Sequence, residues 1–379
     1  MKVLIAIPCL LKGGTEQQTL QLVKVLNNVG HKVQVICYFE FDDTVVTEFN
    51  KNNCEIVLLK LNRTISSFKL ITVLKNVFKK NNPALIHVQY MAPGMLPIIA
   101  ARLAGVKNVI ATVHQPYTTS HGVLSKLLLR FSAFLSSHFT VISLKSEESW
   151  FRSASLYDEG LSLKEQPKHF TIYNTIDIKK IQNINKLVNV ALEKEKQDIP
   201  DDALVFGVVA RLRHEKGIDV LLRAFNKLVK ENSNVHLNIV GGGPDETKLK
   251  EMVTEMNLLK QVTFFGETNW ETAMQQMALM DVVVVPSRYE GFGLTAAEAG
   301  AMGIPVIASK VFGLQEVVKD QHTGLLFENE NEADLYEKMS RLLFNKKELK
   351  YFSANAIKYT QQFGLPNYEK KIQSLYAKL

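Results

Sequence analysis

The chain has 379 residues, 46% hydrophobic and 22% charged, which suits a soluble globular protein of two domains of roughly 150 to 200 residues each. Its three cysteines, Cys9, Cys37 and Cys54, are odd in number and lack ligand spacing, which argues against a disulfide framework and fits a reducing cytoplasm. The net charge of +7 is uneven: residues 1–180 carry 21 basic against 12 acidic side chains, the remainder 24 against 26, and residues 51–130 hold 11 basic side chains and one acid, Glu55. Such asymmetry points the first half at an anionic partner, an acidic acceptor or a membrane surface. With no nucleic-acid motif beside it, nucleic acid is not an expected partner.

In chain order, residues 3–8 read as a strand rather than a signal peptide, because the apolar run is short and no small-residue cleavage site follows. Residues 15–28 read as a helix closed by Gly30, and 32–38 as the next strand, the start of a parallel sheet. A helix is expected over 66–80, with Leu70, Ile71, Val73, Leu74, Val77 and Phe78 on one face and lysines on the other. Strands over 85–89 and 109–114 each carry a histidine near the carboxyl end. No segment approaches the roughly 18 uninterrupted apolar residues of a membrane span, and the nearest, 91–106, is broken by two prolines and Arg102. Residues 126–135, KLLLRFSAFL, form a helix that is apolar over more than half its circumference, hence either well buried or lipid-facing.

Periodicity dissolves over 178–202, which reads as a linker between a first domain over 1–177 and a second over 203–363. The second half repeats the α/β rhythm: strands over 204–209, 235–240 and 262–265, helices over 218–229 and 246–256, and a glycine turn over 241–244. It culminates in a strand over 282–285 followed by SRYEGFGLTAAEAGAMGIPVIAS, residues 287–309, which reads as a glycine turn holding Glu290, a helix holding Glu298 and a second strand over 306–308. Ligands of such a unit sit at the carboxyl end of the strand, where helix amides and the helix dipole meet. A final helix over 364–379 is expected to pack back on the first domain.

Arg211 and Lys216 lie five residues apart beyond the strand over 204–209, an arrangement suited to a diphosphate unless both are solvated loop charges. Glu298 can offer two oxygens to a vicinal diol, and the amides of Phe292, Gly293, Leu294 and Thr295 can cradle phosphate. The bland alternatives are a surface glutamate at 298 and a dipole-stabilising one at 290. Glycines on both sides of Phe292 favour a close backbone approach.

These stretches resemble the retaining family-4 glycosyltransferases. KGGTEQQTLQLVKVLNNVGHKVQVIC is similar to the family's amino-terminal glycine loop and helix, FKKNNPALIHVQY and ATVHQPY to its two histidine strands, and IYNTID to its interdomain segment. ARLRHEKGIDVLLRAF is similar to its basic phosphate loop, IVGGGP to the turn that follows, and the Glu290 to Glu298 stretch to its paired-glutamate motif. The resemblance implies an α/β fold of the GT-B type, two Rossmann-like doubly wound domains facing across a deep cleft. It implies that Arg211 and Lys216 neutralise the donor's diphosphate, that Glu298 holds the ribose, and that Glu290 with Gly291 and the amides after it positions the sugar and β-phosphate. Gly13 and Gly14 would close over the donor, Glu16 would lie toward the acceptor, and His114 would hydrogen-bond the sugar. Taken alone, Glu16 could merely complement a helix N-terminus, and His114 could be a satisfied core histidine.

The activity implied is transfer of a hexose or N-acetylhexosamine from a nucleotide diphosphate sugar, UDP-sugar favoured and GDP-sugar open, to a lipid-linked saccharide or glycolipid in cell-surface polysaccharide assembly. No cofactor and no metal are expected, since no Asp-x-Asp motif or histidine cluster is present. The basic tract would bring a cytoplasmic protein to the inner face of the cell membrane. Gln115, Gln89, Thr175 and Phe312 depart from the family's usual residues, and the last bears on sugar identity. A catalytically silent sugar-nucleotide-binding protein shares this fold, and an NAD-dependent oxidoreductase shares its Rossmann halves. The intact Arg211, Lys216, Glu290 and Glu298 oppose the first, and the lack of Gly-x-Gly-x-x-Gly after either first strand opposes the second.

Overall fold

A computed structural model describes residues 1–90 and 95–379, so the start of the apolar stretch over 91–106 lies outside the described residues. The chain divides into two compact units, Met1–Thr175 with Pro366–Leu379, and Ile176–Leu365.

The first unit is built on β1 (Lys2–Ile7), β2 (Lys32–Cys37), β3 (Glu55–Leu58), β4 (Leu85–Tyr90), β5 (Asn108–Val113), β6 (His138–Val141) and β7 (His169–Thr171). All pairings are parallel in the order β3-β2-β1-β4-β5-β6-β7. Strand alternation sends β1's Leu4 and Ala6 to one face and Val3, Ile5 and Ile7 to the other, and each set is buried in a separate cluster. A parallel sheet covered on both faces needs this continuous apolar run. One face is covered by helices Ser67–Asn81, Leu96–Leu103 and Gly122–Leu135, which contribute Leu70, Leu74, Ile98, Leu129 and Ala133. The other is covered by helix Gly14–Asn28 and by Ile372, Leu375 and Tyr376 of the last helix, Leu365–Ala377. Tyr376 is 2% exposed, and its hydroxyl lies 2.6 Å from His87 Nδ1. Cys9, Cys37 and Cys54 are buried free thiols, and burial pushes Cys9 up to about 11 and the other two to about 12.

The second unit holds β8 (Leu204–Val209), β9 (Val235–Val240), β10 (Val262–Gly266), β11 (Val282–Val285), β12 (Val306–Ser309) and β13 (Gly324–Phe327), all parallel in the order β10-β9-β8-β11-β12-β13. Its core joins Val282 and Val284 of β11 to Leu221, Phe225 and Leu228 of helix Ile218–Glu231 and to Leu335, Met339 and Leu342 of helix Glu332–Phe344.

Residues 178–202, expected as a linker, instead form helices Ile178–Leu187 and Val190–Lys196 within the second unit. Asp177 caps the first by accepting from Lys180 N, and Asn189 caps the second by accepting from Leu192 N. Of the apolar positions of the first helix, Ile178, Ile181, Ile184 and Leu187, only Ile178 and Ile181 are buried. The helix expected over 126–135 begins a turn earlier and is neither wholly buried nor wholly free: Leu129, Ser132 and Ala133 are buried, while Leu124, Leu127, Phe131 and Phe134 are exposed.

Strand order reverses direction between β1 and β4 in one sheet and between β8 and β11 in the other. The carboxyl ends of those pairs are where a parallel sheet leaves a crevice for a ligand.

Candidate functional site

In the second unit the loops after β8 and β11 meet at such a reversal. After Val209 the chain passes Arg211 and makes a single turn of 3-10 helix, His214–Lys216, before Gly217 starts the next helix. Gly217 has φ +64, and a Cβ there would lie 2.0 Å from the carbonyl oxygen of Pro286, so only glycine lets the two loops approach this closely. The approach brings Lys216 Nζ to 2.7 Å from Glu290 Oε2. Ser287 Oγ donates to the same carboxylate oxygen at 3.4 Å. Burial works against the Lys216 charge, but the Glu290 carboxylate outweighs it and holds the ammonium above its ordinary range. Arg211 is exposed on the same loop and makes no ion pair among the described residues.

Arg288, between Ser287 and Glu290, fastens the two loops. Its guanidinium donates to both carboxylate oxygens of Asp219 at 3.0 Å and to Glu330 at 2.8 Å, and also reaches the His214 carbonyl. Its backbone N–H donates to Glu215 O at 2.9 Å. Burial would raise the Asp219 carboxyl, but the Arg288 and Arg223 guanidiniums outweigh it and hold it down at about 2.

Helix Leu294–Met302 starts at Gly293, whose φ of +99 suits glycine. Its first-turn amides point back along the axis toward the end of β11, and Thr295 Oγ1 is tied to Val209 O at 3.1 Å. The Phe292 side chain is 1% exposed and packs edge-on against Phe363, so only its backbone can face a ligand. Phe312 takes φ +27, on the left-handed side that glycine occupies without strain, and Gly313 N donates to Glu290 O at 3.2 Å. Glu298 lies in the second turn, is 7% exposed, and accepts from Trp270 Nε1 at 2.8 Å on Oε1. Burial raises its carboxyl above the ordinary range, against the opposing effect of the indole donor. One of the two oxygens expected to face a diol is therefore already engaged.

In the first unit, Gly13 and Gly14 follow β1, with Gly13 extended at the start of helix Gly14–Asn28. Glu16 does not project outward: it is 3% exposed and folds back under this loop, accepting from Leu11 N at 3.1 Å and from Cys9 Sγ at 3.8 Å. His114, just past β5, is 9% exposed, with Nε2 2.7 Å from Gln89 Oε1 on neighbouring β4 and Nδ1 buried without a protein partner. Burial pulls its imidazole down to about 4, so it is neutral near pH 7 with Nδ1 buried and unpartnered among the described residues. His87, on the same strand as Gln89, is pulled down to about 3 by burial and by His114, and its Nε2 lies 2.7 Å from Thr112 Oγ1.

The structure thus joins Lys216 to Glu290 and leaves Arg211 apart from both. It adds Arg288, Asp219 and Trp270 around the second unit's candidates and, separately, Gln89 beside His114 in the first, none of which sequence reasoning placed there. Arg288 lies inside the glutamate motif, and Trp270 is one of two tryptophans, a residue whose N–H seeks a partner when covered. Those were the available signals.

Residues 189–359 match the family model for glycosyl transferases group 1, and residues 9–146 match that for glycosyl transferase 4-like proteins. A UDP-Gal:alpha-D-GlcNAc-diphosphoundecaprenol alpha-1,3-galactosyltransferase of Escherichia coli is 27% identical over 382 residues, 97% of this chain and 94% of that protein. The alpha-monoglucosyldiacylglycerol synthase of Acholeplasma laidlawii is 24% identical over 389 residues, again 97% and 94%. An uncharacterized glycosyltransferase of Methanocaldococcus jannaschii is 31% identical over 240 residues, 60% of this chain, and the match spans 61% of that relative's length. Among solved structures, Anabaena HepE in complex with UDP and glucose superposes with a TM-score of 0.81 at 19% identity over 100% of both chains. Since the two family matches fall on the two units and the whole fold is shared with solved glycosyltransferases, the chain belongs to the glycosyl transferases group 1 family, the family-4 glycosyltransferases of GT-B fold.

Proposed function

We propose that this protein is a retaining, metal-independent glycosyltransferase that moves a hexose or N-acetylhexosamine from a UDP-sugar to a lipid-linked saccharide or glycolipid in cell-surface polysaccharide assembly. The observation that carries this reading is the Lys216 to Glu290 ion pair at the strand-order reversal, beside a helix N-terminus. A half-buried lysine needs an anion, and without donor Glu290 is that anion. A diphosphate is the stronger partner: bound there, it draws Lys216 away and frees Glu290 to accept from sugar hydroxyls.

Charge on the departing diphosphate grows in the transition state. Lys216, Arg211 and the amides of Gly293, Leu294 and Thr295 meet it without reorganising, in the place a divalent metal takes elsewhere. Glu298, oriented by Trp270, takes the ribose with its remaining acceptor capacity. In the first unit, His114 offers its unpartnered Nδ1 to a sugar hydroxyl, and Glu16 serves the acceptor side by shaping the Gly13–Gly14 loop it supports. Retention follows if the acceptor attacks on the face the phosphate leaves, with that phosphate taking the acceptor's proton. The E. coli and A. laidlawii relatives, named for a diphosphoundecaprenol-linked sugar and a glucosylated diacylglycerol, support a lipid-borne acceptor.

A thermal-shift panel of UDP-, GDP- and ADP-sugars, followed by NMR of the product anomer with and without EDTA, tests the reading. UDP-sugars are expected to stabilise the protein most, and transfer is expected to keep the donor's anomeric configuration and ignore the chelator. Inversion, or loss of activity in EDTA, would overturn the corresponding part.

A further inference from the structure

Helix Gly122–Leu135 covers one face of the first sheet through Leu129 and Ala133 and turns the rest of its apolar surface outward. Val123, Leu124, Leu127, Leu128, Phe131 and Phe134 are between 40% and 73% exposed. At 3.6 residues per turn these six positions fall within an arc of roughly 140°. Phe131 and Phe134 stack at 6.4 Å between centroids. Scattered exposed leucines need no explanation, but a continuous stripe of six large apolar side chains on one helix does. The helix contains no acid; Lys126 and Arg130 lie along one border of the stripe, and the exposed Lys69, Lys79 and Lys80 stand on helix Ser67–Asn81 over the same face of the sheet. No helix of the described residues is long and apolar enough to cross a membrane.

We propose that this helix is a membrane-docking element that lies in the plane of an anionic lipid surface and buries its outward stripe among the acyl chains, with the neighbouring lysines at headgroup level. A second copy of this chain is the poorer occupant, because pairing through this helix would set two basic tracts against each other, whereas anionic headgroups neutralise them. Diffuse attraction of the whole basic tract is also too coarse a picture. Arg63 is engaged by Glu40 at 2.7 Å, Arg102 donates to the carbonyls of Leu135 and Val106, and Arg130 donates to Trp150 O, so these cations are committed within the protein. Apolar insertion carries the binding, and the free lysines orient it. The inference deepens the lipid-acceptor reading and rests on it only for its purpose.

Vesicle flotation of the full chain, without donor or acceptor, tests this separately from sugar transfer. The native protein is expected to float with phosphatidylcholine–phosphatidylglycerol vesicles and to remain partly bound in high salt. A Leu124→Ser, Phe131→Ser, Phe134→Ser triple variant is expected to bind about tenfold or more weakly. Should the triple variant fail to fold, Phe134→Cys labelled with an environment-sensitive dye gives the answer, since the three natural cysteines are buried. Its emission is expected to shift to the blue on vesicles. Native-like binding by a folded triple variant, complete release by salt, an unshifted dye, or a native dimer that the triple substitution splits into monomers would each overturn the proposal.

Discussion

Lys216 and Glu290 are a pair whose meaning depends on what else is present. A lysine 27% exposed and a carboxylate 22% exposed, 2.7 Å apart, stabilise each other, and that contact keeps Lys216 charged against its burial. His114 is the complementary case, a histidine kept neutral by burial with Nε2 set toward Gln89 and Nδ1 unpartnered among the described residues. Replacing Gln89 with Glu places a carboxylate on Nε2, which favours imidazolium and turns Nδ1 from acceptor to donor. Gln89→Glu is therefore expected to raise the pKa of the His114 imidazole and to cut kcat by more than it changes donor KM, with a new titration appearing in the pH profile. A profile superposable on the native one would show that Gln89 does not orient the ring.

The site's elements are held by contacts between distant segments. Arg288 joins the β11 loop to the β8 loop and to the start of helix Ile218–Glu231, and its side chain is only 12% exposed. Arg288→Ala leaves Asp219 short of a cation and is expected to cost about 2 kcal/mol of stability, read by urea unfolding, and to weaken donor binding by releasing the Lys216 loop. Unchanged donor affinity in a folded variant would remove Arg288 from the site's support. Nine of the thirteen described parallel strands were legible in the sequence as short apolar runs, whereas β3, β6, β7 and β13 were not read; the Lys216 loop and glutamate stretch were legible as local patterns. What was hidden depends on long-range pairing: Trp270 meets Glu298 from another helix, and Gln89 meets His114 across two strands. Helices Ile178–Leu187 and Val190–Lys196 were missed because each is short and dominated by polar and charged residues, although Ile178, Ile181, Ile184 and Leu187 do recur every three positions. The fold of Glu16 under its own loop, accepting from Leu11 N, was likewise not legible, because it depends on how the chain turns between β1 and helix Gly14–Asn28.

Across the molecule, acid sensitivity should come from histidines that burial keeps neutral, His87 and His114 in the first unit and His236, also pulled down to about 4, in the second. His87 and His114 have folded pKa values lowered to about 3 and about 4, below the ordinary histidine value near 6.5. The unfolded chain therefore binds more protons below that value, so their contribution is fully present above pH 6.5 and is lost as pH falls toward 4. Each adds a slope of about 1.4 kcal/mol per pH unit in that window, measurable by urea unfolding of the native protein and of His87→Asn. A stability flat between pH 7 and pH 4 would contradict the burial assigned to both rings. At the same scale the two units differ, with an apolar, basic face on the first and, in the second, the Lys216–Glu290 site proposed for a diphosphate. That site is tested most directly by UDP release from the preferred UDP-sugar, compared between the native protein and Lys216→Ala. The expected result is turnover by the native protein and a loss of on the order of 100-fold in the variant, corresponding to about 3 kcal/mol of transition-state stabilisation. Equal turnover by the two proteins would contradict the account.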